Sequence, residues 1–167
     1  LAIRNAVPTC EGALQLAMEQ TDCTIQGAHV LVIGAGRIGF LLAVRLRALG
    51  AQVTVAARSL RDRARIESAG LAAVDTAQLA QEVHGREIIF NTVPAPLLTG
   101  EILRALTPSC IVIDLASMPG GVAPDADPPT GCRVIHALSL PGKVAPRTAA
   151  AAIYATVTAI LREEGVL

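Results

Sequence analysis

Gly34, Gly36 and Gly39 stand at G-x-G-x-x-G spacing in Gly34-Ala35-Gly36-Arg37-Ile38-Gly39. The chemistry open to such a loop is the binding of a diphosphate, provided a strand precedes it and a helix follows. Both neighbours are present. Residues 29–34 (HVLVIG) form an apolar, β-branched run ending in glycine, which predicts a buried strand. Residues 37–49 repeat Ile38, Leu41, Leu42, Leu46 and Leu49 at helical spacing, with Gly50 as the stop. Gly34 permits the tight turn, Gly36 lets backbone approach a pyrophosphate, and Gly39 lets the helix pack closely on the strand. The helix N-terminus then offers unpaired N–H groups and partial positive charge.

The end of the next strand, residues 52–57 (QVTVAA), selects between dinucleotides. An NAD-binding domain places Asp or Glu there for the ribose 2′-hydroxyl. Here Arg58 and Ser59 stand in that place, with Arg61 and Arg63 close behind. A carboxylate repels a 2′-phosphate, whereas a guanidinium binds it bidentately and a serine donates a hydrogen bond. NADP is therefore the expected cofactor.

Three further segments fall after predicted strands, where ligands of such sheets lie. Asn91-Thr92-Val93-Pro94 is expected at the nicotinamide ribose, and Ala116-Ser117 begins a glycine-rich turn on the same side. Leu140-Pro141-Gly142-Lys143 reads as a loop that carries a mobile cation. Lys143, the only lysine, and Ser117 are the candidates for positioning substrate. His136 ends a strand near the crevice. Asp114 is expected to tie down loop backbone rather than act as a base. No Ser-His-Asp arrangement and no metal-ligand cluster is visible, so no metal is expected.

The elements that must position these groups alternate. Helix is expected over 9–20, with Thr9 as its N-cap, and over 37–49, 60–69, 76–83, 97–106 and 145–164. Strands are expected over 29–34, 52–57, 71–74, 86–91, 110–115 and 132–137. This is the pattern of an α/β, three-layer, Rossmann-type doubly wound parallel sheet with strand order 3-2-1-4-5-6. The PDADPP stretch, residues 124–129, reads as a rigid turn rather than a linker, so residues 1–167 form one domain.

Composition agrees. Hydrophobic residues make up 52% and charged residues 17%, which excludes disorder, yet no run is long enough to span a bilayer. A formal net charge of zero and three aromatics argue against a nucleic-acid partner. Cys10, Cys23, Cys110 and Cys132 show no metal or redox spacing and read as structural thiols of a reducing, cytoplasmic compartment. The chain has no initiator Met, which predicts a piece of something longer.

Taken in order, NAVPTCEGALQLAME, VLVIGAGRIG, AARS, NTVPAPLL, IDLASMPGG and LPGKVAPRTAA resemble the family of dipicolinate synthase A subunits from about residue 5 to 151. The resemblance implies an additional N-terminal domain, a spore-forming bacterium and location in the mother-cell cytoplasm. It further implies oxidation of a dihydrodipicolinate-type dicarboxylate with hydride passing to NADP, alongside a flavoprotein-like B subunit. Lys143, Arg147 and the backbone of residues 117–121 are then the expected clamp for the dicarboxylate. The layout is also similar to the cofactor domains of D-2-hydroxyacid dehydrogenases and S-adenosylhomocysteine hydrolase. Hydroxyacid dehydrogenases carry Arg and His where Ser117 and Ser139 stand here, so that activity is disfavoured. The alternatives are another NAD(P)-dependent dehydrogenase, of shikimate or hydroxyacid type, and a non-catalytic NADP-binding scaffold. The last helix, with Ala149, Ala152, Ile153, Thr156 and Ile160 along one side, packs on its own domain or on a second copy, and a homodimer is expected.

Overall fold

The computed structural model describes residues 2–166. Six strands form one parallel sheet: β1 (His29–Ile33), β2 (Gln52–Ala56), β3 (Ala72–Val74), β4 (Ile88–Asn91), β5 (Ile111–Asp114) and β6 (Arg133–His136). Their order is β3-β2-β1-β4-β5-β6, as the alternation of elements predicts. Register places Ile33 beside both Ala56 and Asn91, and Asp114 beside both Asn91 and His136. The carboxyl ends of the central strands therefore meet in one row, where the candidate residues stand.

Because side chains alternate along a strand, each face of the sheet carries its own core. Val30, Val32, Val55, Phe90 and Ile113 pack under α1 (Ala2–Gln20), α2 (Arg37–Ala48) and α3 (Leu60–Ser68). Leu31, Ile33, Ile89 and Val112 pack under α4 (Leu79–Glu82) and α5 (Gly100–Arg104). Each fully buried Leu, Ile, Val or Phe of this kind contributes ~1.5–3 kcal/mol. Two further helices, α6 (Leu140–Val144) and α7 (Pro146–Glu163), close the chain, with α6 on α1 and α7 on both.

Three elements differ from expectation. Thr9 does not cap α1: the helix begins at Ala2 and runs through Pro8, and the Thr9 hydroxyl donates to the Asn5 carbonyl at 2.7 Å. Proline in mid-helix argues for a start after it. Burial of Ala6, 3% exposed and in line with Cys10, Ala13 and Ala17 on the face turned to the core, overrides that local preference. The expected helix over 76–83 is a 3-10 turn (Thr76–Gln78) capped by Asp75, followed by the single turn α4. The Leu140–Lys143 segment is not a mobile loop but the helix α6, fixed by Leu140, which is 4% exposed against Gly12 of α1.

The cysteines are free thiols. Burial pushes the Cys10 thiol up to about 11, and its sulfur donates to the Ile38 carbonyl at 3.6 Å, tying α1 to the start of α2. Cys110 and Cys132 sit side by side at the beginning of β5 and β6. Their shared hydrogen bond and burial hold the Cys110 thiol far above its ordinary range.

Candidate functional site

Three clefts run end to end along the carboxyl edge of the sheet. The first, about 380 Å³, lies between the glycine loop, the end of β2 and the turn after β4, and is lined among others by Gly34, Ala35, Gly36, Arg58, Ser59, Thr92, Val93 and Pro94. The second, about 300 Å³, lies over the start of α2 and is lined by Gly36, Arg37, Ile38 and Thr92. The third, about 350 Å³, lies between α1, the turn after β5 and α6; Thr9, Ile38, Leu115, Ser117, Met118 and Ser139 are among its walls. Gly36 and Thr92 border the first two clefts and Ile38 the last two, so the three make one trough. An extended dinucleotide requires this shape.

The middle of the trough is built for an anion. Gly36 is the N-cap of α2 and has no side chain to cap it, and the first turn holds no acidic residue. The leading N–H groups of a twelve-residue helix thus open into the cleft with its dipole behind them. The three glycines divide the work. Gly34 takes φ +101°, and an added Cβ there meets the Thr92 hydroxyl and Val93. A Cβ on Gly39 drives into the Gly34 carbonyl. Gly36 has φ −69° and ψ −168°, extended backbone that any residue adopts, and its Cβ position points into open space. Gly34 and Gly39 therefore hold the turn, while Gly36 keeps the cleft clear for a ligand.

At the β2 end the arginines take different roles. Arg58 is exposed and lines the first cleft, and no ion pair among the described residues engages it. Arg63 does not add free charge, as the sequence suggests. Its Nη1 donates to the carbonyls of Ala57 and Arg58, both at 2.9 Å, and to Asp75 Oδ2 at 2.5 Å. It pins the turn that carries Arg58. Asp75 is held below the usual carboxylate range by the Ala77 N–H, with the Arg63 guanidinium adding to it. The Ser59 hydroxyl caps α3, accepting from the Asp62 N–H at 3.0 Å and donating to Asp62 Oδ2 at 2.6 Å. Asp62 itself lines the cleft, a residue that the search for a strand-end acid overlooks because it stands one turn into a helix.

At the β5–β6 end the third cleft is apolar with hydroxyls. Ser117 enters it as expected, joined by Thr9 and Ser139, which sequence patterns did not flag as contacts. Ser139 is the only non-glycine among the described residues with a left-handed φ (62°). Such a conformation costs ~1–3 kcal/mol and concentrates at functional sites.

Two expected contacts turn out to lie behind the trough wall. The Asn91 side chain is fully buried. Its Nδ2 donates to Asp114 Oδ1 (2.8 Å) and to the Val93 carbonyl (2.9 Å), and its Oδ1 accepts from the Val93 N–H (3.2 Å). Ala116 is 4% exposed, and its N–H donates to Asp114 Oδ1 at 3.1 Å. Asp114 also accepts from the Gly121 N–H at 2.8 Å. The side chains at the ends of β4 and β5 thus fasten the two turns to each other, and the cleft-lining residues Thr92 and Ser117 each follow a buried one, Asn91 and Ala116. Asp114 ties down backbone, as its position at the end of β5 predicts. Exposed His136 places Nδ1 3.5 Å from Asp114 Oδ2 but lines none of the three clefts. Lys143 and Arg147 are exposed on α6 and the first turn of α7 and also line none of them.

A twisted parallel sheet of this order, with a glycine-rich, uncapped helix start at its switch point, defines a Rossmann-type dinucleotide-binding domain. Residues 11–163 match the alanine dehydrogenase/PNT C-terminal domain family, and the chain belongs to that family; it is a nicotinamide-cofactor-binding domain. Among curated proteins it is 40% identical over 163 residues to the A subunit of dipicolinate synthase from Bacillus subtilis (strain 168), across 98% of this chain and 55% of that one. The crystal structure of that same Bacillus subtilis protein superposes with a TM-score of 0.93 at 40% identity, covering 97% of this chain and 54% of that one. For the A subunit of dipicolinate synthase from Bacillus halodurans the TM-score is 0.92 at 38% identity, with 96% and 55% covered. The transhydrogenase of Sinorhizobium meliloti shares the fold, with a TM-score of 0.77 at 23% identity, over 87% and 50% of the two chains. The chain spans about half the length of these relatives. No helix among the described residues is long and apolar enough to cross a membrane.

Proposed function

We propose that the chain binds NADP along the trough and serves as the cofactor domain of an oxidoreductase of the dipicolinate synthase A type. In this reading a dihydrodipicolinate-type dicarboxylate is oxidised to the aromatic dicarboxylate with the help of a B subunit. The observation that carries the reading is the continuous trough over the uncapped start of α2, with a free arginine at one end and a hydroxyl-lined cleft at the other. The substrate and the partner rest on the 40% identity to the A subunit of dipicolinate synthase.

The nicotinamide, when bound, supplies the hydride acceptor. The residues of this chain do the holding. The leading N–H groups of α2 take the pyrophosphate, Gly36 leaves room for it, and Arg58 pairs with the 2′-phosphate. Ile38 separates the phosphate cleft from the third cleft and gives the nicotinamide an apolar wall. Ser117 and Ser139 orient the ring and the substrate beside it, which is the main demand when aromatisation itself supplies the driving force. In this reading Lys143, exposed on α6 a short way beyond the cleft residues Ser139, Leu140 and Pro141, supplies the cation that meets a substrate carboxylate.

One observation favours a second reading. No ionisable side chain is among the residues lining the third cleft, so proton transfer and carboxylate clamping fall to groups outside it. A scaffold that binds NADP and activates a partner fits that wall equally well. Turnover by each full-length subunit alone separates the two: oxidation by the full-length protein without the B subunit supports the enzyme, and oxidation by the B subunit alone that the NADP-bound protein merely accelerates supports the scaffold.

Cofactor choice is tested by Arg58→Asp. NADP affinity is expected to fall about 30-fold, the worth of a charge-assisted phosphate contact of ~2 kcal/mol, while NAD affinity holds or improves. Equal losses for both nucleotides in calorimetric titration contradict the 2′-phosphate role.

A further inference from the structure

Two charged side chains line the first cleft, and they carry opposite signs: Arg58 and Asp62. The arginine is the partner a 2′-phosphate requires. A carboxylate in the same cleft works against that partnership, and Asp62 stands there from the first turn of α3. Its capping role uses only part of it. The Ser59 hydroxyl accepts from the Asp62 N–H at 3.0 Å and donates to Asp62 Oδ2 at 2.6 Å. Asp62 Oδ1 makes no hydrogen bond among the described residues, and no ion pair there neutralises the side chain.

The exchange between Ser59 and Asp62 has two consequences. A serine hydroxyl has one proton to give. Here it goes to Asp62, so Ser59 has no donor left for a phosphate and instead holds the half-buried carboxylate in place. The turn on the other side is also held, because Arg63 Nη1 binds the carbonyls of Ala57 and Arg58. A ligand entering at the end of β2 thus meets a held anion beside an exposed cation that no ion pair engages.

We infer that Asp62 is a specificity-determining residue of the cofactor cleft, an acceptor for the 2′-hydroxyl of NAD and a repulsive neighbour of the 2′-phosphate of NADP. This assignment rests on the reading of the trough as the NADP site. Arg58 decides which nucleotide is preferred, and Asp62 limits by how much. A phosphate monoester carries about −1.5 to −2 charges at neutral pH, so a carboxylate held close to it opposes binding. A ribose hydroxyl brings no such charge and donates a hydrogen bond to the same carboxylate. The cleft therefore keeps working affinity for NAD while favouring NADP.

Asp62→Asn removes the charge and keeps the shape, and its amide oxygen still accepts from Ser59. Calorimetric titration of this chain is expected to show NADP bound about fivefold tighter and NAD about twofold weaker, a preference wider by about tenfold. Asp62→Ser, a shorter variant that also lacks the charge, is expected to move the preference in the same direction. In an Arg58→Ala background the gain for NADP on Asp62→Asn is expected to persist, because the carboxylate acts on the phosphate itself. A wild-type chain that binds NADP but whose preference neither variant widens overturns the role of Asp62 and leaves it a helix cap. A gain that vanishes with Arg58→Ala overturns it too, since Asp62 then acts only on the guanidinium. A wild-type chain that binds neither nucleotide contradicts the reading of the trough, and the role of Asp62 falls with it.

Discussion

Gly36→Val is expected to remove dinucleotide binding, with affinity falling by about 100-fold or more, and to leave the fold intact. The two halves of that expectation have separate causes. Gly36 takes extended backbone that valine adopts without strain, and its Cβ direction meets nothing within 4 Å. Thermal unfolding therefore moves little. The same open space is where the pyrophosphate approaches the first N–H groups of α2, and an isopropyl group there overpacks the bound state by ~3 kcal/mol or more. Gly39→Val gives the opposite signature. Its Cβ collides with the Gly34 carbonyl, so that variant loses the fold and the binding together. Titration of a folded Gly36→Val protein with NADP is the check, and ordinary affinity contradicts the phosphate role of the loop.

Asp114→Ala is expected to cost ~4 kcal/mol of stability and to disorganise the third cleft. The carboxylate is 1% exposed and accepts from the Asn91 amide, the Ala116 N–H and the Gly121 N–H at 2.8–3.1 Å. Its removal leaves three buried donors without partners, each worth ~1–3 kcal/mol, with some relief as water enters. For a chain of this size the midpoint of thermal unfolding falls by roughly 10 °C. The turn after β5 carries Ser117 and Met118 into the third cleft, so whatever binds at that end is lost before the phosphate site is. Asp114→Asn, which keeps one acceptor and the shape, is expected to recover about half the loss. An Asp114→Ala protein as stable as the wild type contradicts the assignment of this residue as the fastener of the two turns.

The strands and their order were legible because burial and periodicity agree there. HVLVI, QVTVA and IVID are short β-branched runs bounded by turns, and a parallel sheet covered on both faces demands such runs. The glycine loop was legible for the same reason, being a motif in its required context. Where the structure departs from the sequence pattern, tertiary contacts outweigh local preference. Pro8 marks a break in sequence, yet by continuing through it α1 buries Ala6 on the same face as Cys10, Ala13 and Ala17. Leu140-Pro141-Gly142-Lys143 has the composition of a loop, yet Leu140 anchors a helical turn on Gly12 of α1.

Within the candidate site, sequence spacing points to the loops that border the clefts but not to which residue of each loop faces outward. Asn91 and Asp114 are the polar last residues of their strands, buried among apolar neighbours, and they are used up holding each other and the backbone. Arg58 and Arg63 look equivalent on paper. Only the position of Asp75, twelve residues further on, separates the arginine that is paired from the one that is free. Asp62 and Thr9 reach the trough from within helices, where no short-range pattern marks them.

The central claim is that the Gly34–Gly39 loop and Arg58 together hold NADP. Calorimetric titration of this chain with NADP and, separately, with NAD tests it most directly. The account predicts saturable 1:1 binding of NADP and binding of NAD weaker by about 30-fold, the difference of one phosphate contact. Equal affinity for the two nucleotides, or binding of neither, contradicts it.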